Sequence, residues 1–353
     1  MMSRIYFGKA FRETFSAPPG TRAVLREYHE KEELMETGFT LKEVDVVEVV
    51  TLQDNYIEIT AQDNSDIISR ASALKDGEIK NSIQAEHGFS AFVTTTAADE
   101  RRTLLFDFGF SPQGAAYNAK ALGVTMNDIE VLALSHGHSD HTGGLEAIRA
   151  MIDADSIDLV CHPAAFESPR YLEPFPDFKL YFPRFSREDL DRLNIRAVAT
   201  KAPIPLTGGN ALFLGEIERT NDFEKGFPIA RREKDGVAEW DPIEDDSAIV
   251  MNLKGKGLVV ISGCAHAGII NTVTYAKKVT GVDKVHAVMG GFHLSGPYFE
   301  QIIPQTVNAL IALNPDYVIP CHCTGRNAVM AVEQAMPDHF ILNMSGTKLT
   351  FKA

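Results

Sequence analysis

The stretch Ser135-His136-Gly137-His138-Ser139-Asp140-His141-Thr142-Gly143-Gly144 decides how the rest of this chain is read. Three imidazoles and a carboxylate fall between positions 136 and 141, too tightly for one face of a helix. Directly before them runs Ile129-Glu130-Val131-Leu132-Ala133-Leu134, mostly apolar and of strand length. Directly after them, Gly143-Gly144 opens the amphipathic run from Leu145 to Met151. The spacing predicts a loop between strand and helix, at the carboxyl end of the strand, where the backbone can turn all four side chains into one concavity. Borderline divalent ions take nitrogen and carboxylate ligands at about 2.0–2.2 Å. Four ligands this close exceed what one tetrahedral ion comfortably shares, so the pattern implies a pair of ions. A chance His-rich surface loop fits poorly, because the chain has 11 His and three of them sit here.

His-x-His-x-Asp-His followed by Thr-Gly-Gly resembles the signature of the metallo-β-lactamase superfamily. The resemblance implies an α/β fold, an αβ/βα four-layer sandwich with mixed β-sheets. It also implies metal-dependent hydrolysis, with redox or transferase chemistry in some members.

Composition bounds the alternatives. The 353 residues suffice for a sizeable core, and 44% hydrophobic with 23% charged residues is ordinary for a soluble globular protein. Forty-eight acidic against 34 basic residues give a net charge of −14, a surface that repels phosphate backbones, so nucleic acid is not an expected partner. No apolar run reaches the ~18 residues of a membrane span. The first residues, Met1-Met2-Ser3-Arg4, lack the apolar centre of a signal peptide. Four cysteines (Cys161, Cys264, Cys321, Cys323) do not make a disulfide framework in so long a chain, and a reducing cytoplasm is the default location.

Residues 1–42 read as an N-terminal extension, broken at Pro18-Pro19-Gly20, with helical composition over 23–37; an arm, an oligomer contact or a tail would all suit it. Residues 43–353 read as the superfamily domain. Strand patterns are predicted at 44–52, leading to Gln53-Asp54-Asn55, and at 88–94 and 103–109, the last ending in Asp107-Phe108-Gly109. An Asp-x-Gly strand end commonly precedes the metal loop in the family this resembles. Residues 63–80 are polar, a flap or a short helix. The segment 166–244 is the least regular, rich in aromatics and prolines, and reads as a loop-rich insertion forming a substrate wall or lid, or an aromatic mini-core under a long loop. Thereafter a hairpin at Lys254-Gly255-Lys256 and alternating strands and helices end three times at a loop carrying His: Gly263-Cys264-Ala265-His266, Gly290-Gly291-Phe292-His293 and Cys321-His322-Cys323-Thr324. Ligands of α/β sheets gather at such carboxyl strand ends.

By order along the chain, the resemblance makes His322 the last metal ligand. It is expected to share the first ion with His136 and His138, with Asp140 and His141 completing the loop's set and Asp140 as the catalytic carboxylate. Cys264 stands where the family usually has a bridging Asp, and the family's His some two dozen residues earlier is missing. His266 is the natural substitute; Cys264 is either a thiolate ligand or a buried inert cysteine. His293 reads as an orienter of ligands or a substrate contact, and Asn271, Thr324, Arg326 and Arg219 as further substrate contacts. Cys321 and Cys323, on alternating sides of an extended segment, would point away from His322. His162 reads as a structural strand-end residue, and His29, His87, His286 and His339 as surface or core.

These motifs together resemble the dihydropteroate-synthase-like branch of the superfamily, linked to an archaeal pterin–ribofuranosylaminobenzene phosphate synthase activity. The resemblance spans roughly residues 44–350. It implies a hydrolase using one or two Zn²⁺ (or Mn²⁺ or Fe²⁺) on an ester, lactone or phosphoester. The alternative is a transferase joining a pterin-type pyrophosphate to an aromatic amine, with basic groups such as Arg219 or Arg326 facing the metals. A di-iron redox protein is disfavoured by Cys264 in place of a bridging carboxylate, and a non-catalytic metal-binding protein by the intact ligand loop. The expected partner is a small molecule, phosphorylated or pterin-like, with a homodimer compatible with the N-terminal arm.

Overall fold

In Val46–Gln53 alternate residues are buried from Val47 onward, the pattern of a strand with one face on a core, whereas Gly257–Cys264 is buried throughout, as a strand covered on both faces must be. Both belong to a computed structural model that describes residues 41–353. The N-terminal extension, with the helical stretch expected at 23–37 and with His29, lies outside the described residues. At the other end of that expectation, Lys42 is already tied in, its N–H donating to Gly209 O at 3.0 Å.

One sheet has eight strands in the order Ile195–Ala199, Ile157–Cys161, Val131–Ala133, Glu100–Phe106, Ser90–Ala97, Val46–Gln53, Lys348–Lys352, Ile68–Ser69. Its first four strands run parallel and the remainder antiparallel. The other has seven: Ile204–Leu206, Ala211–Phe213, Ala248–Leu253, Gly257–Cys264, Val285–Gly291 and Tyr317–Cys321, with Glu43–Val44 beside Ala248–Leu253. Here the last three strands run parallel. The inner faces share one core, to which Val47, Val49, Phe89 and Phe106 come from the first side and Phe213, Ile249, Ile261 and Met289 from the second. Leu105, Leu132 and Leu159, on the other face of the first sheet, pack under the helices Gly114–Leu122, Leu145–Arg149 and Arg187–Arg192 through Ala115, Ile148 and Leu190. Helices Ile269–Thr280 and Arg326–Ala335 lie against strands of the second sheet, and Ile303–Leu313 packs against both of them. The result is the expected four-layer mixed sandwich.

Two expectations change. The segment 166–244 is not loop-rich: it supplies edge strands to both main sheets (Ile195–Ala199; Ile204–Leu206 and Ala211–Phe213) and its own antiparallel sheet, in the order Phe178–Tyr181, Arg170–Phe175, Ala230–Lys234, Val237–Trp240. Its prolines and aromatics hid three short hairpins, which are joined to each other and to the main sheets by pairings distant in sequence. Of the two alternatives for 63–80 the short helix is not formed: the segment carries two-residue strands at Ile68–Ser69, Leu74–Lys75 and Glu78–Ile79, the last two paired as a small hairpin.

The parallel blocks bring the histidine-bearing loops together. In the first sheet they stop at Phe106, Ala133 and Cys161, in the second at Cys264, Gly291 and Cys321; at this edge the sheets are tied by Ser247, just before the antiparallel strand beside Gly257–Cys264, whose N–H donates to Ser135 O at 3.0 Å. Phe106 is fully buried between the sheets, edge-on to Phe89 at 6.4 Å. Phe106→Ala is expected to cost about 3–5 kcal/mol in chemical denaturation; a loss below ~1 kcal/mol would show that this interface is not tightly packed.

Candidate metal centre

The centre is assembled from strand ends. Asp107, in left-handed conformation (φ 60°) just after Glu100–Phe106, is fully buried. Its Oδ1 accepts from Ser135 N (2.7 Å), and its Oδ2 accepts from Ser135 Oγ (2.7 Å) and from His141 Nδ1 (2.7 Å). Donation from Nδ1 selects the tautomer in which His141 Nε2 carries a free lone pair, and that atom is buried with no hydrogen-bond partner. Ser135 Oγ also lies 3.0 Å from His136 Nδ1. His138 is extended, and Ser139–Thr142 then forms a helical turn, so Asp140 and His141 sit on helix rather than on the loop expected. The turn packs so closely that a Cβ on Gly143 would stand 1.8 Å from Phe110 O, which only glycine permits.

The loop between the first two histidines is anchored from the 166–244 segment and its C-terminal edge. Gly137 N–H donates to Asp245 Oδ2 at 2.8 Å, and buried Arg170 donates to both Asp245 (2.6 and 2.8 Å) and Asp241 (2.6 and 3.1 Å). Burial alone would push the Asp245 carboxyl up, but Arg170 and the Gly137 N–H outweigh it and hold it well below the usual range. From the same segment the Phe182 ring stacks on His138, centroids 4.1 Å apart and 9° from coplanar.

His322 comes from the second sheet. Its N–H donates to buried Asp54 (2.8 Å), its carbonyl accepts from Asn55 Nδ2 (3.0 Å), and its Nε2 lies 3.2 Å from Asp140 Oδ2. Asp140 Oδ2 is also 3.6 Å from His141 Nε2 and 3.4 Å from His87 Nε2. Burial opposes ionisation of Asp140, yet His141, His322 and His87 together keep it far below the ordinary carboxylate range. His266 stands 4.8 and 5.0 Å (ring centroids) from His136 and His138. The segment bearing it is gripped by Asp246, which accepts from Ala267 N (2.7 Å), and by Glu224, which accepts from Ile270 N and Asn271 N (2.9 Å each). Burial pushes the Asp246 carboxyl up to about 8.

Burial lowers most of the imidazoles: His138 to about 4, with Arg170 adding to the effect, His322 to about 4, His293 to about 3, and His136 and His266 well below the usual value. Neutral rings expose lone pairs, the form a cation needs. Donor atoms converge within 4.8 Å in the sets His136–His138–His266, His136–Asp140–His141, His141–Cys264–His322, His87–Asp140–His322 and Cys264–His293–Cys323. Nε2 of His141 and His293 and both ring nitrogens of His266 are buried without hydrogen-bond partners, at about 1–3 kcal/mol each if nothing else took them, and Nε2 of His322 faces Asp140 Oδ2. The donor set therefore fits divalent cations.

Several residues stand elsewhere than expected. His322 converges with His141, Cys264 and Asp140, while His136 and His138 converge with His266, so the expected grouping of His322 with His136 and His138 is replaced by two half-sites. Cys323 does not point away: His322–Thr324 is a helical turn, not an extended segment, and brings its sulfur to Cys264. Asn271 is buried with its polar atoms engaged, accepting from Thr220 N and Asn221 N and donating to Ala267 O, so it clamps the chain rather than facing a substrate. Thr324 is a buried latch, accepting from Phe292 N (2.9 Å) and donating to Cys321 O (2.7 Å). Arg219 donates to Pro242 O instead of facing the centre. Arg326 is exposed on a cavity of about 350 Å³ that also includes Asn55 and His322. His293 lies against the centre, its ring 4.1 Å from that of His266. His162 caps a turn, accepting from Ala164 N (3.1 Å). Sequence reasoning missed His87, which carries no pattern, and assigned no role to Asp107 or Asp54, although both stand at polar strand ends.

The chain matches the family model described as the metallo-beta-lactamase superfamily over residues 86–223. It is 34% identical over 249 residues (69% of this chain, 83% of the relative) to 7,8-dihydropterin-6-methyl-4-(beta-D-ribofuranosyl)-aminobenzene-5'-phosphate synthase of Methanocaldococcus jannaschii. It is 28% identical over 271 residues (74% and 93%) to an uncharacterized protein of the same organism. Among solved structures it resembles Tm1679, a metal-dependent hydrolase of the beta-lactamase superfamily, with TM-score 0.65 and 24% identity over 87% of this chain and 100% of that one.

Because Asp107 orients His141 without reaching the cation position itself, Asp107→Asn is expected to weaken metal binding by about 10–100-fold. Competition against a chromophoric chelator measures this, and unchanged affinity would detach Asp107 from ligand orientation.

Proposed function

Because this chain belongs to the metallo-beta-lactamase superfamily, we propose that it is a metal-dependent hydrolase acting on an ester, lactone or phosphoester. The observation that carries this reading is the pair of adjoining half-sites, His136–His138–His266 and Asp140–His141–His322 with Cys264, all with buried or half-buried donor atoms aimed at common points. Zn²⁺, Mn²⁺ or Fe²⁺ held there would supply positive charge that polarises the scissile bond and acidifies water.

The chain's own residues do the rest. Asp140, ionised and only partly exposed, faces both half-sites, where it accepts a hydrogen bond from the attacking water and orients it. His87, 58% exposed, stands beside it at the solvent side. Phe182 covers one wall of the His136–His138 pair and restricts water there. On the His266–His293 side, a cavity of about 130 Å³ lined by Phe223, Phe292 and Phe299 shares Lys225, Gly226 and Tyr298 with a wider cleft of about 870 Å³, which also includes Trp240. That cleft is the natural path for an elongated substrate, and the 166–244 segment builds most of it.

The identity to a pterin-phosphate synthase favours one second reading, a transferase joining a pterin-type pyrophosphate to an aromatic amine, with Tyr298 and Trp240 offering ring faces in the cleft. Arg219 spends one guanidinium nitrogen on Pro242 O and lines a neighbouring cavity with Lys225 and Trp240.

A panel of aryl phosphodiesters, lactones and esters, run against protein loaded with each metal, tests the proposal. Hydrolysis should vanish on chelation and return with metal, and His138→Ala or Asp140→Ala should lower kcat/KM by at least ~10²-fold. Metal-loaded protein that hydrolyses none of these, yet condenses a pterin pyrophosphate with an aromatic amine, would replace this reading by the second.

A further inference from the structure

Cys264 belongs to two of the converging donor sets, one rich in nitrogen and oxygen, the other in sulfur. We propose that Cys264, Cys323 and His293 form an alternative seat for the second ion, taken by thiophilic cations such as Cd²⁺ or Cu⁺, while harder ions settle with Asp140, His141 and His322. The inference rests on the metal-binding part of the proposed function.

Three strand ends create the seat. The parallel register sets Cys264 opposite Gly291 and Gly291 opposite Cys321, so the residues just beyond the last two strands, His293 and Cys323, arrive beside Cys264. Cys264 Sγ lies 3.2 Å from His293 Nδ1, and one donor atom from each of the three residues falls within 4.8 Å of the others. Room for the second sulfur exists because position 291 is glycine: a Cβ there would stand 2.6 Å from Cys323 Sγ. His293, at φ 49°, is wedged between Phe227 and Phe299 (5.3 and 4.5 Å between centroids), and its Nε2 is buried without a partner. Thr324 ties the Cys323 turn to the backbone that carries His293. The donors are therefore held in place before any ion arrives.

Ligand softness separates the two seats. Two thiolates and an imidazole suit thiophilic ions, and a carboxylate with imidazoles suits Mn²⁺ or Fe²⁺. Sharing Cys264 means that both seats cannot be complete at once, and two dications so close would repel strongly. On binding, each thiol gives its proton to solvent and forms one sulfur–metal bond, with no change of oxidation state. The competing account is that the two cysteines are inert packing in a dry pocket.

The full-length metal-free protein, titrated with Cd²⁺ and separately with Mn²⁺, decides between them. Cd²⁺ should produce a sulfur-to-metal charge-transfer absorption that falls by about half in Cys323→Ser and Cys323→Ala, one of two thiolates being lost, and persists in His322→Ala. Manganese affinity should be unchanged in both Cys323 variants and reduced in His322→Ala. Retention of the ion at His136, His138 and His266, with unchanged circular dichroism, shows that each variant is folded. A first ion bound normally, with a Cd²⁺ absorption that ignores Cys323 and disappears in His322→Ala, overturns the sulfur seat alone. Absence of any bound Cd²⁺ overturns both this seat and the metal-centre reading beneath it.

Discussion

The carboxylate of Asp107 is the constraint on which this centre depends. Placed in left-handed backbone at the end of one strand, it accepts from the backbone and side chain of Ser135 at the end of the next, and from His141 beyond. One fully buried group thereby joins two strands to the ligand loop, selects the tautomer of His141 and leaves Nε2 free to bind. Asp54 plays the matching part in the other half, accepting from the backbone N–H of His322 and from Asn343 Nδ2 (2.6 Å). Buried carboxylates of this kind are expensive unless fully satisfied, and here almost every lone pair has a donor.

The segment 166–244 is built into the centre rather than laid over it. Its edge strands complete both main sheets, and its Arg170, held by Asp241 and Asp245, is linked through Asp245 to the Gly137 N–H between His136 and His138. Glu224 and Asp246 grip the turn that presents His266. Change in this segment therefore reaches the cation positions through hydrogen bonds, while its exposed aromatics, Trp240 among them, remain available to vary the cleft.

Electrostatics explains why so many imidazoles can share one pocket. Burial, with repulsion from neighbouring imidazoles or, for His138, from Arg170, lowers His136, His138, His266, His293 and His322, and of the pocket's imidazoles His141 alone is raised, burial being outweighed by Asp140 and Asp107. A pocket of neutral nitrogens beside an ionised carboxylate and two thiols offers donors of differing softness.

Much of this was legible along the chain. The ligand loop is local: His136 to His141 are near neighbours, so their spacing alone points to a cation, and the flanking apolar run and Gly143-Gly144 place them at a strand end. The parallel strands after residue 247 are also local patterns, each ending at a His. Only the folded chain decided which distant residues complete each half-site, because His266 and His322 reach the centre through strand register and turn geometry that spacing does not encode. The same holds for Cys323, turned inward by a helical turn where an extended segment was expected, and for His87, which no pattern marks. Local sequence sets which side chains a strand end can offer; convergence of several strand ends on one point is a property of the packed sheets, and there the roles of Asp107, Asn271 and Arg219 were decided.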